Sequence, residues 1–422
     1  MKHTYLLPFA AILIGWTGAF APAALSQEAN AQPAQSSRPL VAEFVRLVLT
    51  PHPALAAAQA EVDAATARAE GAARSVYNPE VEAEFEDADS TTKAVGISQA
   101  IDWSGKRKAR AATGEADVVA ATAALEIVKK SVATDLLSAL SDHQSAFEQI
   151  RLANDRFRLA KDFSSLASQR EAAGDLSQSE FLTARLALSQ ALAAQASAQA
   201  NLSRTRERLA ALSGEQRDVW PLLVGTPDTH LLHAGTAQVN SLPELRFALA
   251  KTDGFRSRVL LADKMRKADP TVGLRFGQES NGLGGQETLF GVRVAIPLLI
   301  RNNFSQSVTA ARAEALGAEA GARNTRRLVT ARLNATTERV VASQKAWSQW
   351  QDTGATQLGD QRQLLKTLWE AGETDAVSYL VQLNQTFDAE AASIDLKGTL
   401  WRSWFEWLDA SNTSTSWLEA IQ

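Results

Sequence analysis

Residues 170–182, REAAGDLSQSEFL, decide the fold of this chain, because residues 369–380, WEAGETDAVSYL, repeat their pattern in the other half. Three shorter phrases precede each of them in the same order: HPAL (52–55), NPEV (78–81) and SQAI (98–101), then LPEL (242–245), DPTV (269–272) and VAIP (294–297). The intervals between the prolines, isoleucines and glycines of these phrases are 26, 22 and 73 residues in the first half and 27, 26 and 76 in the second. A period of roughly 190 residues is too long for a solenoid repeat, so the pattern indicates duplication of one large unit.

Each half is predicted to contain a helix, two short strands, a very long helix, a tight turn and a returning helix. The first repeat covers 40–213, with strands near 79–87 and 93–102 and a turn at 172–176. The second covers 241–410, with strands near 270–278 and 288–298 and a turn at 371–375. Residues 214–240 are predicted to link the repeats, and 411–422 to form a tail. Long helices are expected over 303–370 and over 105–173, which has no proline and would be of order 100 Å long.

Positions seven residues apart in the returning helices carry similar side chains. These series are Phe181, Leu188, Gln195, Leu202 and Leu209; Ala184, Ala191, Ala198, Thr205 and Leu212; and Leu380, Phe387, Ile394, Trp401 and Leu408. A sustained repeat of seven predicts left-handed supercoiling around a partner helix, and the alanines predict close helix spacing. An ordinary bundle is excluded by length, because its helices rarely exceed about 25 residues.

Strict alternation of side chains predicts that the strands cross a membrane. Glutamates at 80, 82, 84 and 86 alternate with Val81, Ala83 and Phe85. The other strands alternate apolar residues with small residues or arginine, the apolar ones being Val95, Ile97 and Ile101; Val272, Leu274 and Phe276; and Phe290, Val292, Val294 and Ile296. Four strands cannot close a membrane barrel, since the smallest bacterial barrels need about eight, whereas three chains would supply twelve. The alternative is a soluble hairpin half buried against helices.

The charged side chains of the strands are expected to face the lumen of such a barrel. A charge on the lipid side costs a few kcal/mol near the midplane, so Glu80, Glu82, Glu84 and Glu86 are predicted to point inward together with Arg275 and Arg293. Four acids against two bases give −2 per chain and −6 for three chains. A lumen of that sign favours cations. Alternatively, these glutamates only hydrate the pore or pair with the arginines.

The ends and the composition restrict the class of protein. Residues 1–26 resemble a secretory signal peptide, and the polar residues 27–39 are predicted to be disordered. The chain has no cysteine, which excludes disulfides, thiolate metal sites and a lipid-modified cysteine. Its net charge of −4 comes from well-mixed acids and bases, so no nucleic-acid partner is expected.

The sequence contains no catalytic motif, and neither an enzyme, a cofactor nor a resident metal is predicted. His52 and His143 stand alone, which favours structural roles over metal binding. His230 and His233 have a spacing that could touch a metal, but Asp228 is the only acid near them. Because Met265 is the only methionine after the first residue and there is no cysteine, soft metal ions would not be held tightly.

At this point the mature chain, from about residue 40 to 410, resembles the TolC family of outer-membrane efflux proteins. The phrases at 97–110, ISQAIDWSGKRKAR, and 294–315, VAIPLLIRNNFSQSVTAARAEA, are similar to the CzcC-like branch that serves heavy-metal pumps. The resemblance implies a fold that is mainly α with a β-barrel portion. It implies a homotrimer with a twelve-stranded barrel in outer-membrane lipid, and a tunnel of coiled-coil helical hairpins through the periplasm. The tips that would face a periplasmic adaptor protein are Gly174, Asp175 and Leu176, and Gly372, Glu373 and Thr374.

One departure from the family concerns closure of the tunnel. Better-known relatives carry aspartates six and nine residues after the second tip glycine, but this chain has Ser378 and Val381 there. In the first repeat Glu180 lies six residues after Gly174. Glu180 is therefore predicted to carry the charge at the aperture, with Ser378 as its counterpart.

The sequence thus predicts a passive exit duct in the outer membrane of a Gram-negative bacterium, extending into the periplasm. By the resemblance it would work with a periplasmic adaptor and an inner-membrane pump of the resistance–nodulation–division (RND) class, which supplies the energy. Divalent heavy-metal cations are the expected cargo, and drugs or other organic toxicants are the alternative. From a different class, a structural periplasmic coiled coil that conducts nothing remains open. A hydrolase on a helical scaffold has no candidate residues.

Overall fold

A computed structural model describes residues 41–228, 232, 239–281, 284–354 and 358–420. The predicted signal segment, the polar lead and the pair His230 and His233 lie outside these residues. The helices are α1 (Val41–Leu49), α2 (Pro53–Ala73), α3 (Lys106–Ala173), α4 (Gln178–Ser213), α5 (Pro243–Met265), α6 (Ser305–Thr353), α7 (Leu358–Glu370), α8 (Ala376–Ser411) and α9 (Ser414–Ala420). The strands are β1 (Glu80–Asp87), β2 (Ser90–Ala100), β3 (Thr271–Asn281) and β4 (Gln286–Ala295).

The four strands form one antiparallel sheet in the order β1-β2-β3-β4. Each repeat contributes one hairpin, and β2 pairs with β3 to join the two repeats. Strand β2 starts at Ser90, three residues before the expected 93, because Thr91 pairs with Asp87 across the hairpin. Strand β4 ends at Ala295, before the expected 298, and Pro297 follows it without an N–H group to donate.

The helix α3 runs for 68 residues without interruption, over nearly all of the range expected for it. The single helix expected over 303–370 is wrong, because α6 ends at Thr353 and α7 begins at Leu358. Gly354 caps α6 with φ −122° and ψ −33°, outside the helical region. Glycine gains the most freedom by leaving a helix, which makes this the weak point of the run. None of the described helices combines the length and apolar character that crossing a membrane requires.

Long helices pack side by side along most of their length. Helix α3 contacts α2, α4, α5 and α8, and α6 contacts α5 and α8. The heptad prediction for α4 is confirmed, since its fully buried residues all belong to the predicted series: Ala184, Ala191, Leu202 and Leu209. Alanine at two of these positions lets α4 lie close to α3.

Among the described residues, two large hydrophobic cores and one small one stabilise the helical part. The central core is rich in tryptophan and joins α1, α3, α8 and α9; its aromatic members are Phe44, Trp220, Trp401, Trp404, Phe405, Trp407 and Trp417. Trp220 and Leu223 lie in the segment predicted to be a linker, so that part of it is anchored in the core. The second core lies near the glycine turns, where Phe163, Trp369 and Tyr379 stack with ring centroids 4.8 to 5.5 Å apart.

Candidate functional site

The sheet has one apolar face and one charged face. The strand register places Val81, Ile97, Leu274 and Val292 in one row and Ala83, Val95, Phe276 and Phe290 in the next. These side chains are exposed, Val81 to 80% and Phe290 to 73%. Successive rows are about 7 Å apart along the strands, so these two rows and the row of Val272 and Val294 cover roughly 14 Å. The next row towards the hairpin turns holds Phe85 beside Lys93.

The opposite face is crowded, which shows that the sheet curves towards it. Directly opposed Cβ atoms of neighbouring strands normally lie about 4.5–5.5 Å apart. A Cβ atom added to Gly277 would lie 2.7 Å from the Cβ of Ala94 and 2.4 Å from the carbonyl oxygen of Lys93. One added to Gly273 would lie 3.2 Å from the Cβ of Ser98. The charged face is therefore concave, and small residues leave space there for longer side chains.

Ion pairs cross this concave face. An Nη of Arg275 on β3 lies 2.7 Å from Oε2 of Glu84 on β1, reaching over β2. An Nη of Arg293 on β4 lies 3.6 Å from Oε2 of Glu82, although three strand spacings of a flat sheet would separate their backbones by about 14 Å. The two pairs agree with the alternative that some of the glutamates pair with the arginines. Glu80, Glu82, Glu84 and Glu86 share the face with both arginines.

The register adds two acids that the sequence reasoning missed. Glu86 pairs with Thr92, Thr92 with Glu279, and Glu279 with Glu287, so three glutamates lie in one row near the hairpin turns. We call Glu86, Glu279 and Glu287 the mouth glutamates. The concave face thus carries six glutamates and two arginines, or −4 per chain rather than the −2 expected. The alternation of side chains around Glu279 and Glu287 is visible in the sequence, but only the strand register shows that both glutamates lie on the charged face.

A buried cluster of three side chains, here called the clip, joins the segments by which the chain enters and leaves the helical end of the sheet. Tyr77 precedes β1, Lys106 follows β2 and Asp269 precedes β3. The carboxylate of Asp269 accepts a 2.6 Å hydrogen bond from the Tyr77 hydroxyl and lies 2.7 Å from Nζ of Lys106. The hydrogen bond to Asp269 raises the pKa of Tyr77 to about 12, aided by burial and by the negative charge. The clip thereby fixes the helices of both repeats to the sheet.

Asp102 explains the phrase IDWSGK at the exit of β2. Its carboxylate accepts hydrogen bonds from the backbone N–H groups of Gly105, Lys106 and Arg107, at 2.7 to 3.0 Å. Burial opposes ionisation, but the three donors lower the pKa of Asp102 below its usual value. The acid therefore caps the first turn of α3, whose N-terminus carries a partial positive charge.

The two glycine turns have the same geometry. Gly174 has φ +81° and Gly372 has φ +74°, in the left-handed region that favours glycine. The N–H of Asp175 bonds to the carbonyl of Arg170, and that of Glu373 to the carbonyl of Leu368, which makes both turns Schellman motifs. Asp175 and Glu373 are exposed, whereas Leu176 and Thr374 are half-buried.

The helices after the turns are capped by different acids. In the first repeat Ser177 and Glu180 form a capping box, and the Ser177 hydroxyl lies 2.6 Å from Oε2 of Glu180. These hydrogen bonds lower the pKa of Glu180. In the second repeat Asp375 accepts hydrogen bonds from the N–H groups of Val377 and Ser378, and the bonds from Ser378 lower the pKa of Asp375. The pattern S-x-x-E was a readable capping signal; the aperture role of Glu180 and Ser378 stays a prediction.

Arg170 ties the two turns together. Its guanidinium lies 4.6 Å from the centroid of the Trp369 ring. Its Nη2 also donates to the carbonyl oxygens of Trp369 and Glu370, at 3.2 and 3.3 Å. These carbonyls end α7, and a cation at a helix C-terminus is stabilised by the helix dipole. The tips of the two repeats therefore form one surface.

Metal ligands do not cluster in the described part of the chain, where no group of three or more histidine, aspartate or glutamate side chains could hold an ion. His52 caps α2 by accepting from the N–H of Ala54. His143 is buried with its ring centroid 6.3 Å from that of Trp220 and no partner for Nε2. Burial lowers the pKa of His143 to about 4, and the nearby Arg206 adds to this. Both histidines serve the fold.

Comparison with known proteins agrees with this geometry. Residues 45–215 match the family model described as outer membrane efflux protein. The chain is 27% identical over 258 residues to the nickel-cobalt-cadmium resistance protein NccC of Alcaligenes xylosoxydans xylosoxydans, covering 57% of this chain and 58% of that one. It is 26% identical over 239 residues to the cobalt-zinc-cadmium resistance protein CzcC of Cupriavidus metallidurans, covering 54% and 56%. The matches thus span little more than half the length of these two relatives.

Solved structures share the fold over most of the chain. The outer membrane protein VceC of Vibrio cholerae superposes with a TM-score of 0.73 at 15% identity, covering 88% of this chain and 95% of that one. The CmeC outer membrane channel of Campylobacter jejuni gives 0.72 at 15% identity, covering 89% and 86%. At this identity the likeness establishes the fold alone.

Proposed function

We propose that this chain, which is similar to outer membrane efflux proteins over residues 45–215 and in its fold, is the exit duct of a tripartite efflux system for divalent metal cations. Three copies would combine their sheets into a twelve-stranded barrel, and their helices would form a tunnel into the periplasm. The duct is passive, and an RND pump in the inner membrane supplies the energy. The family model and the fold that the chain matches support a channel rather than an enzyme.

The observation that carries this proposal is the two-faced, curved sheet. Its convex face is apolar and exposed, as contact with lipid requires, while its concave face carries the ion pairs and the mouth glutamates. Strands β1 and β4 each have an unpaired edge within the chain. Open edges are not tolerated in lipid, so further copies must pair with them. A soluble hairpin would cover its apolar face, and this one does not.

The cargo is inferred from charge and from the relatives. Both curated relatives are named for resistance to metals. A concave face of −4 per chain, or −12 for three chains, raises the local concentration of cations. Carboxylates lining a wet pore bind cations weakly enough to release them. With no cysteine in the chain, there is no thiolate to retain a soft metal ion.

The joined tips supply the surface for the periplasmic adaptor. Gly174 and Gly372 shape matched turns, and Arg170 holds them against one another. Asp175 and Glu373 are exposed at corresponding positions of the two turns. A repeated, rigid and acidic pair of turns suits an adaptor that contacts both repeats in the same way.

Deleting the gene in its natural host tests the cargo. Tolerance of nickel, cobalt, zinc or cadmium should fall several-fold, and the intact gene should restore it. Tolerance of organic toxicants should not change; the opposite pattern would favour the drug duct. Membrane fractionation and native mass spectrometry test the class, with a membrane-inserted trimer expected. A soluble monomer in the periplasmic fraction would favour the structural coiled coil instead.

A further inference from the structure

The four segments by which the chain enters and leaves the sheet are rich in basic residues. We call residues 74–79, 101–108, 264–270 and 296–304 the foot of the sheet. Every one of these segments contains a cation, and together they contain Arg74, Lys106, Arg107, Lys108, Lys264, Arg266, Lys267 and Arg301. The only acids in them are Asp102 and Asp269. The foot therefore has a net charge of +6 per chain.

Both acids of the foot are already engaged within it. Asp102 caps α3 through three backbone N–H groups, and Asp269 is buried in the clip with Lys106. In contrast, five exposed cations have no carboxylate within ion-pair distance among the described residues: Arg74, Arg107, Lys108, Lys267 and Arg301. Their charge is not neutralised by the chain itself.

Exposed apolar side chains lie beside these cations. Trp103 follows β2 and is 64% exposed, although its Nε1 donates to the carbonyl oxygen of Ala268 at 2.7 Å. Leu298 and Ile300 follow β4 and are 77% and 83% exposed. Trp103 lies three residues after the end of β2. An anchored indole, aliphatic groups and cations at one level are typical of the boundary between hydrocarbon and headgroups.

The other end of the sheet has the opposite charge. Around the two hairpin turns lie Glu86, Asp87, Asp89, Glu279 and Glu287, and Lys93 is the one cation of β1 to β4 on that side. The basic character is thus confined to the end from which the helices emerge. A surface with this asymmetry distinguishes between the two headgroup layers of a membrane.

We propose that the foot binds the anionic phospholipid headgroups of the leaflet on the helical side of the membrane. This inference rests on the proposed function, because it requires the apolar face of the sheet to lie in lipid. The arginines and lysines then contact headgroup phosphates, while Trp103, Leu298 and Ile300 enter the hydrocarbon boundary. The contacts fix the depth of the barrel, and the attraction should weaken as salt rises.

Native mass spectrometry of the detergent-extracted assembly tests the inference with phosphatidylglycerol and phosphatidylcholine of identical acyl chains. The parent should retain phosphatidylglycerol with at least tenfold higher affinity. The foot variant Arg107→Gln, Lys108→Gln, Lys267→Gln, Arg301→Gln should lose most of that preference. A matched control, Arg204→Gln, Arg206→Gln, Arg323→Gln, Arg326→Gln, removes exposed arginines from α4 and α6 and should keep it.

Three outcomes would overturn the inference. Equal affinity of the parent for both lipids is one, and an unchanged preference in the foot variant is another. The third is full competition by soluble glycerol phosphate, which would indicate a phosphate site rather than a lipid surface. Flotation with phosphatidylcholine vesicles measures membrane insertion, and it therefore separates failure of the lipid inference from failure of the proposed function. A parent that inserts but shows no lipid preference contradicts only the lipid inference, whereas a parent that does not insert contradicts both.

Discussion

The mouth glutamates should set the charge selectivity of the pore. In the proposed trimer, three chains would place nine carboxylates in one ring, from Glu86, Glu279 and Glu287. In a twelve-stranded barrel they lie about 10 Å from the axis, where each contributes roughly 0.4 kcal/mol to a monovalent cation in water. A Debye length of about 10 Å at 0.1 M salt reduces the sum for nine charges to about 1.4 kcal/mol. That energy corresponds to roughly tenfold enrichment of the cation.

The perturbation is the triple variant Glu86→Gln, Glu279→Gln, Glu287→Gln. It keeps the size of the side chains and changes the concave face from −4 to −1 per chain. The reversal potential of open channels in planar bilayers, measured under a potassium chloride gradient, should move most of the way from the cation value towards zero. In about 1 M salt, where the Debye length is about 3 Å, the parent should lose most of its selectivity as well.

A control separates the mouth from charge elsewhere in the protein. The variant Glu61→Gln, Glu338→Gln, Glu419→Gln removes three exposed glutamates from the helices. It should leave the reversal potential near that of the parent. Anion selectivity in the parent, or an equal shift in control and triple variant, would refute the reasoning. Either result would mean that the row of glutamates read from the strand register does not face the conducting path.

Three further predictions concern the turns, the curvature of the sheet and a buried histidine. The double variant Gly174→Val, Gly372→Val forces a β-branched residue to positive φ, which costs roughly 1–2 kcal/mol of backbone strain at each turn. Metal resistance should be lost while membrane insertion survives. The double variant with asparagine at both positions should retain resistance. Gly277→Ala places a Cβ 2.4 Å from a carbonyl oxygen and should destabilise the sheet by about 1–3 kcal/mol in urea unfolding, whereas Gly291→Ala, with 3.9 Å available, should be near neutral. Burial lowers the pKa of His143 to about 4, so this side chain stays neutral in the folded protein while the unfolded chain protonates near pH 6.5. The free energy of unfolding should therefore fall by up to roughly 3 kcal/mol from pH 6.5 to pH 4. The variant His143→Phe should remove that pH dependence.

The sequence by itself determined the features that depend on local periodicity. The duplication, the α3 helix and the heptad seam of α4 follow from spacings within one segment. In β1, β3 and β4, alternation with a period of two places most apolar residues on one face and the glutamates and arginines on the other. The turns at Gly174 and Gly372 were readable because a tight interhelical turn favours positive φ, and both have it.

The sequence was less informative where one residue has two readings. Glu180 was interpreted as an aperture charge from its distance to Gly174, yet it also completes a capping box with Ser177. The break at Gly354 was missed because the run contains no proline, although Asp352, Thr353 and Gly354 all have low helix propensity. In each case a local signal existed but was weaker than the pattern competing with it.

Only the tertiary structure decided which residues from distant segments meet. Glu86 lies 193 positions before Glu279, and their sharing of a row depends on the pairing of β2 with β3. The same pairing brings Glu84 to Arg275, and curvature over glycine lets Arg293 approach Glu82. A shift of one residue in strand register would move every side chain to the other face. Alternation within a strand fixes two faces, but register and curvature, which arise between strands, fix the charge of the concave face.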